Sequence, residues 1–412
     1  SRGTGVTDSL MISIPTSRVL VSRGRNGEFA DGAGLDEILA RAAALRVLFA
    51  GRAAAHDRDA DFPFDDIADF SASGLMALPS RVDAGGLGGS LAAAQAVVGS
   101  LAQGDPSVAL VIVNHYMVHA TIAARAGWPE ALAARLEQEN VRQPGLINAA
   151  LAEPDLGSAS YGGLPETVAT ATPDGWRISG RKAYVTGIPA LSWLLVRART
   201  DDADPRVGLF LVPAQANGVI VHRNWDHIGM RATHSHEVEF RDVLVPAADV
   251  TDLVDGGARH PVLSGMMRWN TGLLGALYDG IVRGALDWTV GFLRKRVPSN
   301  LGQPLATLPS VQDAVGRVAL ALDENWMLLD RYADDVVAGR GDAADRGAAV
   351  IKARVIDGAA DLTLHLLSLA GNAGLSARNP LERCHRNALC GRIHAPHGEL
   401  VRRKAGQRVL AF

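Results

Sequence analysis

A chain of 412 residues has room for two or three domains with sizeable cores, and 48% hydrophobic with 21% charged residues is a globular composition. A formal net charge of -3 gives no reason to expect nucleic acid or an anionic membrane as a partner, and no uninterrupted apolar run reaches the ~18 residues that span a bilayer. Only Cys384 and Cys390 are present, which excludes a disulfide framework and fits a reducing cytoplasm.

Residues 1–34 are rich in Gly and Ser, lack the basic-then-apolar order of a secretory signal, and are expected to form a flexible tail. Residues 35–146 predict a helical domain. Asp36-Glu-Ile-Leu-Ala-Arg-Ala-Ala-Ala-Leu-Arg-Val-Leu-Phe places apolar residues at helical spacing. A second helix is expected over Ser90 to Leu101. A third, Ser107 to Ala126, is apolar nearly all round and should be buried. Near Asn148 the texture changes to short runs rich in Val, Thr and Ile. Thr167-Val-Ala-Thr-Ala-Thr, Trp193-Leu-Leu-Val-Arg-Ala-Arg, Val207-Gly-Leu-Phe-Leu-Val and His236-Glu-Val-Glu-Phe are separated by turn signals such as Pro173-Asp-Gly. Residues 147–255 therefore predict a compact β barrel. Residues 256–412 return to helical spacing and predict a four-helix bundle, with Ala348 to Ala370 its longest helix. The α–β–α order is α+β and excludes a doubly wound sheet.

Several motifs in this order resemble the acyl-CoA dehydrogenase superfamily. Phe62-Pro-Phe, Gly74-Leu, Pro79 and Gly85-Gly-Leu-Gly-Gly-Ser are similar to its N-terminal domain. Ala152-Glu-Pro-Asp-Leu-Gly-Ser and Gly180-Arg-Lys-Ala-Tyr-Val-Thr-Gly resemble two motifs of its β domain, which Gly229-Met-Arg-Ala-Thr and Val238-Glu-Phe-Arg-Asp-Val-Leu-Val-Pro usually close. The resemblance implies a homotetramer holding FMN or FAD between the β domain and the C-terminal helices. It places Tyr184 and Thr186 against the isoalloxazine and Ser158 near the phosphate end. Arg296 would reach a neighbouring subunit's cofactor, and Gly371 and Asn372 would lie in a stretch whose backbone approaches the cofactor. A hydroxyl can bond the flavin edge, an aromatic can cover the ring, and a guanidinium can pair with phosphate. Each residue also has a plain structural reading: Gly371 as the end of a helix, and Tyr184 and Thr186 as ordinary strand residues.

A dehydrogenase of this family needs a carboxylate to take the α-proton of a thioester. The two positions that supply it in the family correspond here to Ala395, nine residues after Arg386, and Asn270, ten before Gly280. Neither takes a proton. Glu399 either turns inward or lies solvated beside Arg402 and Arg403. Arg386-Asn-Ala-Leu-Cys-Gly-Arg-Ile-His-Ala-Pro instead is similar to the ending of the dibenzothiophene monooxygenase-like branch. Those two-component enzymes take reduced flavin from a separate reductase and trap O2 as a C4a-hydroperoxide. The resemblance thus implies oxygenation of a small, mostly apolar molecule, with His394 as donor or proton relay. The alternative is an acyl-CoA or acyl-carrier-protein dehydrogenase with a non-standard base, and a third reading is a flavin-binding protein without turnover.

Other histidines compete. His115 and His119 share one face of an apolar helix. His115 is either a second catalytic group or a buried imidazole on a backbone carbonyl. His234 and His236 are expected on a solvated rim. Cys384, His385, Cys390, His394 and His397 have spacings that zinc would tolerate, but Pro396 interrupts the helix, so no metal is expected. The basic runs at Arg294 and Arg402 lack the aromatic platforms of a nucleic-acid site.

Overall fold

The computed structural model describes residues 34–157 and 163–411. Five helices come first: α1 (Leu35–Asp59), α2 (Phe64–Ala72), α3 (Leu91–Gly104), α4 (Pro106–Ala124) and α5 (Glu130–Arg142). Their starts are chemically marked. Ser90 caps α3 by accepting from Ala93 N at 3.3 Å, and Asp105 caps α4 by accepting from Ser107 N at 2.8 Å, with Pro106 in the first turn. Among the described residues α4 alone has the length and hydropathy of a membrane span, yet 83% of that window is buried within the protein. It is the core helix that its all-round apolarity predicted.

The middle of the chain forms one eight-stranded sheet: β1 (Leu146–Ala150), β2 (Val168–Thr172), β3 (Gly175–Val185), β4 (Leu191–Thr200), β5 (Arg206–Pro213), β6 (Val219–His222), β7 (His236–Val245) and β8 (Val254–Asp255). The order is β6-β7-β3-β2-β4-β5-β8, with β1 parallel to β4. The sheet curls far enough for β5 to touch β7.

The remainder is α6 (Pro261–Lys295), α7 (Pro309–Val337), α8 (Gly341–Val350), a π turn (Ile351–Ile356), α9 (Gly358–Ala370), the short α10 (Asn372–Leu375), α11 (Leu381–Leu389) and α12 (Gly398–Leu410). The longest helix is α6, 35 residues, and not the 348–370 segment, which the π turn divides. The glycines of α6 blur its pattern in sequence, but they allow close packing. A Cβ at Gly280 would lie 2.4 Å from the Gly99 carbonyl oxygen of α3.

Two of the sequence motifs prove to hold each other. Glu153 Oε1 accepts from Lys182 Nζ and Thr167 Oγ1, each at 2.6 Å, and Oε2 accepts from Glu166 N at 2.8 Å. Both members of the ion pair are buried. Burial pushes Lys182 down to about 8. Burial also opposes the Glu153 charge, but Lys182 and the donated hydrogen bonds outweigh it and hold the carboxyl below its ordinary value. Lys182→Met should therefore cost about 3–5 kcal/mol in urea unfolding, because it strands a buried carboxylate. The double variant Glu153→Leu/Lys182→Met should recover much of that loss. A single variant as stable as the parent would show that the pair contributes nothing.

The three regions are joined at Arg386-Asn387 of α11. The Arg386 guanidinium donates to both Asp57 carboxylate oxygens at 3.0 and 2.6 Å, to Glu382 at 2.7 Å and to the Ile228 carbonyl at 2.6 Å. Asn387 Oδ1 accepts from Met230 N at 2.8 Å. A Cβ at Gly229 would sit 2.2 Å from the Arg386 carbonyl oxygen, so the 229–230 turn docks on α11 only with glycine there.

Candidate functional site

A cavity of about 530 Å3 opens within the C-terminal bundle. Its walls come from α6 (Met267, Asn270, Thr271, Leu274), from Tyr332 of α7, from Lys352 of the π turn, and from residues 394–396. Asn270 and Ala395, the two positions where a dehydrogenase would carry its carboxylate, line this one cavity together with His394. They are far apart in sequence, so their convergence here makes the missing base a property of one site.

His394 is held by α6. Its Nε2 lies 2.8 Å from the hydroxyl of Tyr278, a fully buried ring set edge-on to the imidazole. That hydroxyl has no other partner among the described residues, so a buried O–H is satisfied only by donating to Nε2. The neutral imidazole then carries its proton on Nδ1. Burial, and secondarily the charge of Lys352, pushes the imidazole down to about 4, so it is neutral at pH 7. Lys352 Nζ donates to the Gly391 carbonyl at 2.6 Å and lies 2.9 Å from Asp357 Oδ1. A π turn that aims a buried lysine at the segment leading to His394 matches the frequent placement of such turns at functional sites.

The flavin residues implied by the resemblance lie on other elements. At the end of β3 the pairing with β7 shifts register between Lys182 and Val185, and Tyr184 adopts φ +59°. This non-glycine left-handed residue throws its ring outward, 64% exposed. Thr186 follows, buried, with its Oγ1 2.8 Å from Ser235 Oγ, which is 2.8 Å from Thr233 Oγ1. Thr233 in turn donates to the Met230 carbonyl at 2.9 Å. Asn148 Nδ2 donates to the Thr186 carbonyl at 2.9 Å, while its buried Oδ1 has no partner. An uncovered aromatic face two residues from the Thr186 carbonyl is a surface on which a flat ring system such as isoalloxazine can stack. Arg296, exposed at the C-terminal end of α6, and Gly371 with Asn372, exposed at the end of α9, are outward-facing as well. Gly371 adopts φ +60°, ψ -139°, a glycine-only conformation, and a Cβ there would meet nothing within 4 Å. It does end a helix, and it leaves open space beside the backbone. Ser158 lies outside the described residues, as do residues 1–33 of the expected tail.

Three histidine readings change. His115 is fully buried and donates from Nε2 to the Met76 carbonyl at 3.1 Å; it lines neither this cavity nor a second one beside β4. Its place is structural, and burial pushes it down to about 4. His119, 4.4 Å away ring to ring, lines the second cavity with Trp193. His236 is not on a solvated rim: it is buried and accepts from Trp225 N at 3.0 Å, because His234 leaves the strand with φ +45° and bonds the Ala60 carbonyl instead. The Cys384–His397 stretch does not converge on a metal: among the described residues only His56, Asp66 and Asp105 approach one another closely enough. Burial raises both thiols to about 11. Glu399 is exposed and outside the cavity lining. Tyr278 and Lys352 escaped the sequence reading because a Tyr in an apolar stripe and a Lys between isoleucine and alanine read as ordinary helix.

Comparison with known proteins matches three consecutive domains of one family: "Acyl-CoA dehydrogenase, N-terminal domain" over residues 39–137, "middle domain" over 148–243 and "C-terminal domain" over 273–399. The chain belongs to the acyl-CoA dehydrogenase family. A putative acyl-CoA dehydrogenase, YdbM of Bacillus subtilis, is 29% identical over 356 residues, 86% of this chain and 91% of the relative. L-evernosamine nitrososynthase of a Micromonospora species is 29% identical over 365 residues, 84% of this chain and 83% of the relative. Among solved structures, FMN-bound TdsC from Paenibacillus sp. A11-2 aligns with a TM-score of 0.81 at 25% identity, covering 91% of this chain and 97% of that one. Family members of both dehydrogenase and other activity are thus similar to it over nearly their whole length.

Proposed function

We propose that the chain is a flavin-dependent monooxygenase, using reduced FMN or FAD from a separate reductase, and O2, to oxygenate a small organic substrate. The observation that carries this reading is the convergence of Asn270, Ala395 and His394 on one cavity. The two positions that carry the family's base meet in this cavity, neither holds an acid, and a neutral imidazole stands beside them. Similarity to a nitrososynthase and to FMN-bound TdsC supports flavin use beyond dehydrogenation.

Reduced flavin with O2 supplies the oxygen atom. The remaining work falls to this chain's own side chains. Tyr278 fixes the His394 tautomer so that an Nδ1–H is presented as donor. Lys352 anchors the Gly391 carbonyl three residues upstream of His394 and disfavours the imidazolium. Thr186, Asn148 and Tyr184 would hold the ring, and Arg296 would reach the cofactor of a neighbour in a tetramer, consistent with its exposure. A monomer by light scattering at micromolar concentration would remove that role from Arg296.

The competing reading, a dehydrogenase with a non-standard base, has one candidate, because Asp345 is the one carboxylate in the cavity lining. It is exposed, and a solvated carboxylate at the mouth is poorly placed to deprotonate a thioester. With short- or medium-chain acyl-CoA substrates and an electron-accepting dye, turnover should be negligible. Robust dye reduction, abolished by Asp345→Asn, would establish the dehydrogenase instead.

A further inference from the structure

Far from the His394 cavity, three side chains of the N-terminal domain meet without the bonds that would explain their meeting. His56 near the end of α1, Asp66 of α2 and Asp105 at the start of α4 each bring one ligand-type atom to within 4.8 Å of the others. Asp66 and Asp105 are buried, and His56 is half-buried. His56 Nδ1 stands 3.5 Å from Asp66 Oδ2 and 3.5 Å from Asp105 Oδ2. That nitrogen carries at most one proton, and both separations exceed the roughly 2.7–3.2 Å of a good N–H···O bond. Asp66 Oδ2, wholly buried, makes no hydrogen bond among the described residues, while Oδ1 accepts from Arg52. Asp105 Oδ1 is taken by Ser107 N, which leaves its Oδ2 for the cluster. Two donors each ~2.1 Å from a tetrahedral ion lie about 3.4 Å apart, so this spacing is that of ligands sharing a cation. Positive charge is also short. Arg52 pairs with both Asp66 and Asp69, and it is the one permanent cation paired with these carboxylates among the described residues. Three carboxylates against one guanidinium leave two uncompensated negative charges, which a divalent cation balances.

We propose that His56, Asp66 and Asp105 bind a divalent transition cation of the zinc class, which ties α1 and α2 to the start of α4. A mixed imidazole and carboxylate set suits a borderline first-row cation, whereas Mg2+ prefers oxygen donors alone. The exposed edge of His56 gives the ion a way in. None of the three residues lines the His394 cavity or belongs to the residues assigned to flavin, so the cation serves the architecture. Its reach extends beyond the N-terminal helices, because the residue after His56 is Asp57, whose carboxylate holds Arg386 of α11. The competing arrangement is a protonated His56 bridging the two carboxylates, which needs no metal.

The test strips the whole chain with EDTA and titrates it calorimetrically with ZnCl2, MnCl2 and MgCl2, without flavin or substrate. Zn2+ should bind at one site per chain, Mn2+ more weakly and Mg2+ not measurably. Saturating Zn2+ should raise the melting midpoint by several degrees, because the ion binds the folded arrangement of three separate elements. Asp66→Asn and His56→Gln should each weaken Zn2+ binding about tenfold or more and remove the rise in midpoint. The half-buried His56→Gln gives the reading if Asp66→Asn alters the fold, and Asp105 is left intact because it also caps α4. His397→Gln, from the stretch whose spacing zinc would tolerate, should bind as the parent does. The proposal is overturned if Zn2+ does not bind, if both variants bind it unchanged, if the loss follows His397→Gln, or if Mg2+ binds as tightly as Zn2+. The imidazolium bridge predicts the first two of these outcomes. Because neither flavin nor oxygen enters the measurement, its failure leaves the oxygenase reading standing, and a dehydrogenase result leaves the metal result standing.

Discussion

His394→Ala is expected to leave flavin affinity unchanged while product formation falls by about 10²-fold or more, the usual scale for a lost acid–base group. Flavin contacts are assigned to Asn148, Tyr184, Thr186, Arg296, Gly371 and Asn372, none of which lines the cavity that holds His394. The imidazole stands in the cavity with Tyr278 behind it, so its removal takes away the donor and leaves the Tyr278 hydroxyl buried without an acceptor. Oxygen reduced at the flavin should then appear as hydrogen peroxide in place of product. Tyr278→Phe provides the complementary arm. It removes the group that fixes the tautomer, so part of the imidazole population turns its bare nitrogen to the cavity, and coupling should fall by less than in His394→Ala. Because His394 is pushed down to about 4, the rate should show no inflection near pH 6.5 that depends on His394. Full coupling between flavin oxidation and product in His394→Ala would reduce this histidine to packing.

The fold was legible because its signals are local. Helical spacing located α1, α3 and α4, turn signals separated β2, β4, β5 and β7, and motif order tied them to a family. What the sequence hid is relational. Glu153 and Lys182 read as two separate motifs, yet they are one buried ion pair. His115 and His119 share a helix face, but only the first lies under the Met76 carbonyl and only the second borders a cavity, a difference of one turn against a neighbouring segment. Lys352 and the Gly391 carbonyl that it holds are far apart in the chain, and no spacing rule joins them. Conversely, Asn270 and Ala395 could be singled out as missing acids from the resemblance, and the fold brings both to the same cavity. Positions are legible when a motif carries them; partners require the tertiary structure.

Acidification should destabilise the protein well before its carboxylates are protonated. His115, His236 and His394 are each pushed by burial from 6.5 to about 4, and His119 lies well below its ordinary value for the same reason. Between pH 6.5 and 4 the unfolded chain binds protons at these sites that the folded chain refuses. Since the unfolded state then holds more protons, stability rises with pH through this window; it is fully present above pH 6.5 and is lost as pH falls. A depression of that size corresponds to about 3 kcal/mol for each histidine by pH 4, against a total stability of about 5–15 kcal/mol. Asp66, Asp279 and Asp287 oppose the trend, because burial raises their carboxyls and the folded state takes up those protons more readily. So does His56, which its hydrogen bond to Asp105 raises. His227, His260 and His385, lowered by burial, add to the trend, so that seven lowered imidazoles face three aspartates and one histidine. Thermal melts followed by far-UV circular dichroism should show a midpoint nearly constant from pH 8 to 7 and lower by on the order of 10 °C at pH 4.5. His115→Gln, which keeps a side-chain donor for the Met76 carbonyl but cannot titrate, should flatten the slope by about one histidine's share. A midpoint at pH 4.5 within two or three degrees of the neutral value would mean that these imidazoles reach water and are not held neutral by the fold.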